Sequence, residues 1–263
     1  MMPFLNVDEI DLYYEIHGSG EPLLFIHGLG SSSRDWELQL DYFAKKFKVI
    51  LIDVRGHGRS GKPPGPYSIP LFAEDTAKLI QALQIAPAHI LGISLGGMIA
   101  FELGIGYPEL VKSLIIVNST PELVARTLKD WLGIWQRLLI VRFTGMRKMG
   151  EVLGNRFLPG PELAELREIF IERWAENDKP AYLEAMKAVM GWSITDRLGE
   201  IRCPTLVLAA DGDYFPTTDK ENYVKQIPGA KLLVIENSRH ALPAEKPAEF
   251  NLAVMEFLIR FTD

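Results

Sequence analysis

The chain has little cysteine, no long apolar run and a deficit of basic charge, and each shortage excludes something. Cys203 is the single cysteine among 263 residues, so no internal disulfide can form. That usage fits a reducing compartment. Cys203 precedes Pro204 and the apolar run TLVLAA, and is read as a small buried residue rather than a nucleophile. The nearest thing to a membrane span, WLGIWQRLLIV at 131–141, is short and carries Gln136 and Arg137 in its middle, so it fails the length and charge test. The N-terminal MMPFLNVDEIDLYYEIHG has no basic region followed by an apolar one, and no signal peptide is expected. A cytoplasmic protein is the default expectation. With 28 Lys and Arg against 34 Asp and Glu, the net charge is −6, which argues against a nucleic-acid partner. No clustered pattern of metal ligands stands out.

What is present is the composition of an ordinary soluble globular protein, 48% hydrophobic and 24% charged, in a chain long enough for a large core. PFLNV and IDLYYEI read as a hairpin. Apolar runs then alternate with helical patterns: PLLFIHG, KVILIDVRG, AHILGI, VKSLIIVNS, PTLVLAAD and AKLLVIEN as strands, most of them followed by amphipathic stretches. Strands apolar throughout, each followed by a helix, imply a mostly parallel central sheet with helices on both faces. Residues 120–200 contain helix-like pieces and no strand-like run. They are expected to form a helical cap inserted near one sheet edge, with residues 1–119 and 201–263 as the core.

The segment ILGISLGGMIA at 90–100 breaks an apolar strand with Gly92, Gly96 and Gly97 around Ser94. Small residues two positions either side are what a sharp strand-to-helix turn needs, and such a turn exposes its central serine at the sheet end. A serine hydroxyl is a weak nucleophile without a base, an acid to orient that base, and donors for the oxyanion. His240, between the last strand and last helix, is expected to be the base. In DGDYFP at 211–216, Asp213 is preferred to Asp211 as the acid, Asp211 being read as a brace of the turn. The turn after PLLFIHG offers the Leu29 N–H, which with the Leu95 N–H would form an oxyanion hole.

These segments, HGLG at 27–30, DVRGHGRS at 53–60, GISLGG at 92–97, DGDYFP at 211–216 and SRH at 238–240, resemble the α/β-hydrolase fold over nearly the whole chain. The order Ser94, Asp213, His240 is the order that family uses. The resemblance implies that Asp53, Arg55 and Ser60 brace a loop and that His57 is not catalytic. Members with a nucleophilic aspartate are disfavoured by the serine. GISLGGMIA is similar to small carboxylesterases and enol-lactone hydrolases, and also to carbon–carbon bond hydrolases and some lyases.

The expected activity is hydrolysis of a carboxyl ester through an acyl-serine, with no cofactor and no metal. A thioesterase or acyltransferase, a ligand receptor, a lyase and a cofactor-free oxygenase of the same fold stay open. Trp131, Trp135, Phe143, Met146, Phe157 and Phe215 are candidates to line the substrate pocket, the cap's own core being the alternative for the first five. Residues 121–150 hold six basic and two acidic side chains. This is either a solvated helix face or a receiver for an anionic substrate, with Arg142, Arg147 and Lys148 among the candidates.

Overall fold

The computed structural model describes residues 3–262. The first two strands, β1 (Phe4–Val7) and β2 (Ile10–His17), pair antiparallel across a turn at Asp8. Next come β3 (Glu21–Ile26), α1 (Glu37–Phe43), β4 (Phe47–Ile52), α2 (Ile69–Ala82), β5 (Ala88–Ile93), α3 (Leu95–Gly106) and β6 (Val111–Val117). Three cap helices follow, α4 (Leu128–Phe157), α5 (Ala164–Ala175) and α6 (Lys179–Val189). The chain closes with β7 (Thr205–Ala210), α7 (Thr217–Val224), β8 (Lys231–Ile235), α8 (Leu242–Glu245) and α9 (Pro247–Leu258).

The strands form one eight-stranded sheet in the order β1-β2-β4-β3-β5-β6-β7-β8. β2 runs antiparallel to β4, and every pairing from β4 to β8 is parallel. The alternation of side chains divides the core in two. Leu24, Ile26, Ile50, Ile52, Ile90, Leu114 and Val207 join the cluster that includes residues of α2, α3 and the cap. Leu23, Phe25, Val49, Leu51, Leu91, Ile115 and Leu206 join the cluster with residues of α1 and α9. Both faces are covered, which is why these strands read as unbroken apolar runs.

The strand order reverses between β3 and β5, and clefts at the carboxyl ends of such strands are where ligands sit in open α/β sheets. The loops after β3, β5, β7 and β8 therefore converge on one place. The helical insertion leaves and rejoins the core through a narrow neck: Leu123 N donates to Trp192 O, Gly191 N to Leu123 O and Ile194 N to Pro121 O. On the far side α5 is tied to the β3–α1 loop. Asn177 Nδ2 donates to Gly30 O at 2.8 Å and Arg173 Nη1 to Arg34 O at 2.8 Å, so the insertion is anchored beside the segment that carries Leu29.

Candidate active site

Ser94 ends β5 and starts α3 with φ 54° and ψ −115°, a backbone that non-glycine residues rarely adopt. Strain of this kind costs on the order of 1–3 kcal/mol and persists only where its surroundings impose it. Here they do: Ser94 N donates to Val117 O, while Ser94 O accepts from Gly97 N, Met98 N and, at 2.7 Å, Ser119 Oγ. The close approach needs glycine. A Cβ on Gly92 would lie 2.1 Å from the Gly96 carbonyl oxygen, and one on Gly96 would lie 2.1 Å from the Ile26 oxygen.

His240 and Asp213 meet Ser94 from the loops after β8 and β7. His240 Nδ1 is 2.7 Å from Asp213 Oδ1. The carboxylate is an acceptor, so Nδ1 carries the proton and Nε2 is left with a lone pair. The hydroxyl of Tyr214 stands 3.2 Å from Nε2 and 3.5 Å from Ser94 Oγ. It therefore donates to the imidazole and accepts from the serine. Burial, and then the Asp213 charge, push the Tyr214 hydroxyl up to about 12, so it remains a donor at neutral pH. Among the described residues the path from Ser94 to His240 runs through this hydroxyl.

Asp213 has a second partner, Lys220 of α7. Lys220 Nζ donates to Asp213 Oδ2 at 2.7 Å and to Phe215 O at 2.6 Å, and both side chains of the ion pair are fully buried. Burial alone would raise the Asp213 carboxyl, but the His240 ring and the Lys220 ammonium hold it below the usual carboxylate range. One oxygen is thus tied to lysine while the other faces the imidazole. Asn118 fixes the histidine loop: its Nδ2 donates to Arg239 O and His240 O at 3.0 and 3.1 Å, and its Oδ1 accepts from Ala210 N. Asp211 accepts from the backbone N–H groups of Asn237 and Ser238 instead.

Gly28, in the turn after β3, lies beside Ser94, where a Cβ on it would be 3.5 Å from the Ser94 Cβ, and Leu29 is the next residue. Leu95 N is the first amide of α3, where helical N–H groups lack an intrahelical acceptor. Neither the Leu29 nor the Leu95 N–H is given to an acceptor among the described residues. Gly28, Leu29, Ser94, Leu95, Tyr214 and His240 all line one cavity of about 720 Å³.

The wall opposite is made by the cap, and of the cap residues expected from sequence to line it Phe157 does so. Trp131, Trp135 and Phe143 stand exposed, and Met146 is buried in the core; none lines the cavity. The first half of α4 turns the other side of the helix inward, so Ile134, Arg137 and Ile140 face the cavity, with Phe157, Phe170 and Trp174 from further along the cap. Phe215 does line it. Arg142, Arg147 and Lys148 lie outside it, Arg147 paired with Glu172 and Lys148 with Glu151. Of the three arginines that line the cavity, Arg126 is paired with Glu122, Arg156 lies over the Tyr214 ring at 5.2 Å, and the one on the inward face of the first half of α4 is Arg137. Its Nε donates to Tyr182 Oη at 2.6 Å and its guanidinium lies over the rings of Tyr182 and Trp174 at 5.7 and 5.9 Å. Like Arg156, it has no carboxylate partner among the described residues, whereas Arg126, Arg147 and Arg173 each have one.

The loop after β4 is built for rigidity. Asp53 accepts from Ser33 N and Arg59 N, both at 2.7 Å, and Arg55 makes a bidentate pair with Asp75. His27 accepts from Val54 N at 2.9 Å. His57 is buried beside it with Nε2 unpartnered. Burial, and then His27, depress the His57 ring from 6.5 to about 3. The native protein therefore keeps it neutral while the unfolded chain protonates it below about 6.5. The sign follows: stability is complete above that pH and falls as pH drops toward 3, by up to about 1.4 kcal/mol per pH unit. Urea unfolding at several pH values should show His57→Gln losing less stability than the parent on going from neutral to about pH 4.5. Parallel losses would place the acid sensitivity elsewhere.

Comparison with known proteins bears on the fold and the family. Residues 21–247 match the family model described as alpha/beta hydrolase fold. The chain is 32% identical over 97% of its length to a protein of Azorhizobium caulinodans named "Putative carbamate hydrolase RutD", covering 98% of that protein. It is 31% identical over 98% of its length to 3-oxoadipate enol-lactonase 2 of Acinetobacter baylyi, covering 96% of it. Among solved structures, the enol-lactonase from Burkholderia xenovorans LB400 superposes with a TM-score of 0.90 at 22% identity, over 98% of this chain and all of that one, a likeness of fold. No helix among the described residues is long and apolar enough to cross a membrane. The chain belongs to the α/β-hydrolase fold family.

Proposed function

We propose that the protein is a serine hydrolase of small carboxyl esters or lactones. The observation that carries this reading is the unbroken run Ser94–Tyr214–His240–Asp213 on the floor of a cavity that also holds two unclaimed amides. Ser94 Oγ attacks the ester carbonyl carbon as its proton passes along the Tyr214 hydroxyl to His240 Nε2. Tyr214 accepts one proton and gives up another, so it stays neutral. Asp213 and Lys220 hold the imidazole ring in place as it becomes charged. The Leu29 and Leu95 N–H groups receive the oxyanion. The imidazolium then protonates the departing alcohol, and water releases the acyl group by the reverse path. A relative named as an enol-lactonase supports ester or lactone chemistry.

The test is hydrolysis of p-nitrophenyl esters of increasing acyl length alongside simple lactones. Turnover of short esters, falling as the chain outgrows the cavity, is expected; no turnover of any ester or lactone would turn attention to the lyase reading. Tyr214→Phe should lower kcat by about 10-fold or more, within the range of a proton-transfer contribution. Equal turnover would take Tyr214 off the proton path.

Arg137 favours substrates that carry a free carboxylate. A guanidinium in a cavity wall without an acidic partner is complementary to one. Arg137→Met keeps the length of the stem and should raise KM for p-nitrophenyl hemisuccinate by roughly 10–100-fold, the worth of a charge-assisted hydrogen bond. Neutral esters should be unchanged. Equal losses on both would make Arg137 a packing residue only.

A further inference from the structure

The side of α4 that faces away from the cavity is apolar, and the hydrolase reading makes no use of it. Leu128, Trp131, Leu132, Trp135, Leu139 and Phe143 recur at helical spacing and are between 49% and 76% exposed. Ile134, Arg137 and Ile140 of the same arm line the cavity on the other side. A helix with one apolar face is ordinarily packed by that face, but this one turns six large apolar side chains to solvent. Patches of this kind mark an interaction surface. The arm runs from its cap at Thr127, where Asp130 closes a capping box, to the break at Gly145, whose φ is 85°. Sixteen residues, 128–143, give it a length of about 24 Å.

Charge decides what covers the stripe. In a chain of net charge −6, this arm carries Lys129, Arg137 and Arg142 against Asp130 alone. Asp130 is turned back to accept from the backbone N–H groups of Arg126 and Thr127. Lys129 and Arg142 flank the stripe near its two ends, and neither has an ion-pair partner among the described residues. A second copy is a poor occupant. An antiparallel two-fold pairing of this stripe would bring Lys129 of one copy and Arg142 of the other to the same end, with no acidic side chain on either stripe to offset them. Lipid phosphates would satisfy both cations. Tryptophan, leucine and phenylalanine on one face with basic residues at its margins is the composition of a helix that lies in a membrane interface.

We propose that residues 128–143 dock the protein on an anionic lipid surface, the helix lying in the headgroup plane with Trp131, Leu132, Trp135 and Phe143 inserted. The wall of the cavity includes Lys129 and Asp130, so the docked face adjoins the site. Docking needs no assumption about the reaction, and its test uses no substrate.

The experiment is flotation of the full chain with vesicles of phosphatidylcholine, alone or mixed with phosphatidylglycerol, with tryptophan emission recorded in parallel. The parent should float with the mixed vesicles, bind pure phosphatidylcholine at least about 10-fold more weakly, and shift its emission to the blue. The double variant L132E/W135E should lose affinity by about 30-fold or more, and Arg142→Gln should lose part of the preference for anionic lipid. All these side chains are exposed, and an unchanged thermal melt would show that the variants fold. Absence of flotation at millimolar lipid would overturn the proposal. So would flotation indifferent to L132E/W135E. Sedimentation equilibrium showing a dimer that the double variant dissociates would also overturn it, by assigning the stripe to a second copy.

Discussion

Ser94→Ala is expected to lower kcat on p-nitrophenyl acetate by about 10⁴-fold or more, the range seen when a nucleophile that works with its base as one unit is removed. The geometry puts the whole effect on one oxygen. Ser94 Oγ is the hydroxyl that ends the run to His240, at the mouth of the strained turn, with the Leu29 and Leu95 amides beside it. Ser119 Oγ is the neighbouring hydroxyl, but it is buried and donates to Ser94 O, so it cannot substitute. His240→Ala should cost nearly as much, and the double variant little more than either alone, because each residue is idle without the other. A fluorophosphonate should add one phosphonyl group to the parent and none to Ser94→Ala. Ester turnover in Ser94→Ala within 10-fold of the parent would mean that another group is the nucleophile.

The second large effect is on folding. Gly92→Ala adds one methyl, and that carbon would sit 2.1 Å from Gly96 O, 2.3 Å from Gly96 C and 2.7 Å from Gly97 N. All three are backbone atoms of the helix that begins at the elbow, so no side chain can rotate away. Relief requires α3 to move off β5, and α3 is buried almost throughout. We expect a loss of at least about 3 kcal/mol, at the upper end of overpacking penalties. In a protein of this size that is a drop in Tm of roughly 6–12 °C, or no folded product. Gly133→Ala is the control, since nothing lies within 4 Å of a Cβ there and alanine is the better helix former by about 1 kcal/mol. A melting temperature for Gly92→Ala equal to the parent's would show that the turn relaxes without cost.

These two predictions rest on residues that the sequence already marked. Strand-like apolar runs, the glycines around Ser94 and the chain order of Ser94, Asp213 and His240 are local patterns. Their physical cause is local too: a sheet covered on both faces makes its strands apolar along their whole length, and a tight turn excludes any Cβ at fixed offsets. The shortage of cysteine, of long apolar runs and of basic charge is likewise a property of composition alone.

Other residues became visible only when distant segments met. Tyr214 is one more aromatic in a loop until its hydroxyl lies between Ser94 and His240, residues 120 and 26 positions away. Lys220 looks like a solvent-facing lysine in TTDKENYV, because nothing nearby shows that its ammonium reaches Asp213 in a buried pair. Asn118 carries no chemical signal on its own, yet it holds the histidine loop to β7. The cap shows the difference most sharply. Composition offered Trp131, Trp135, Phe143 and Phe157 alike as pocket residues and did not separate the basic side chains of 121–150 that face a substrate from those on a solvated face, whereas the fold turns Arg137 and Phe157 inward and Trp131, Trp135 and Phe143 outward. Periodicity shows that a helix has an apolar stripe but not which way it faces, since that depends on what packs against the opposite side. For this protein the sequence by itself determined the strands, the elbow and the chain order of Ser94, Asp213 and His240. The tertiary structure decided which face of the cap lines the cavity, because rotation of a helix about its axis is set by contacts between residues far apart in the chain.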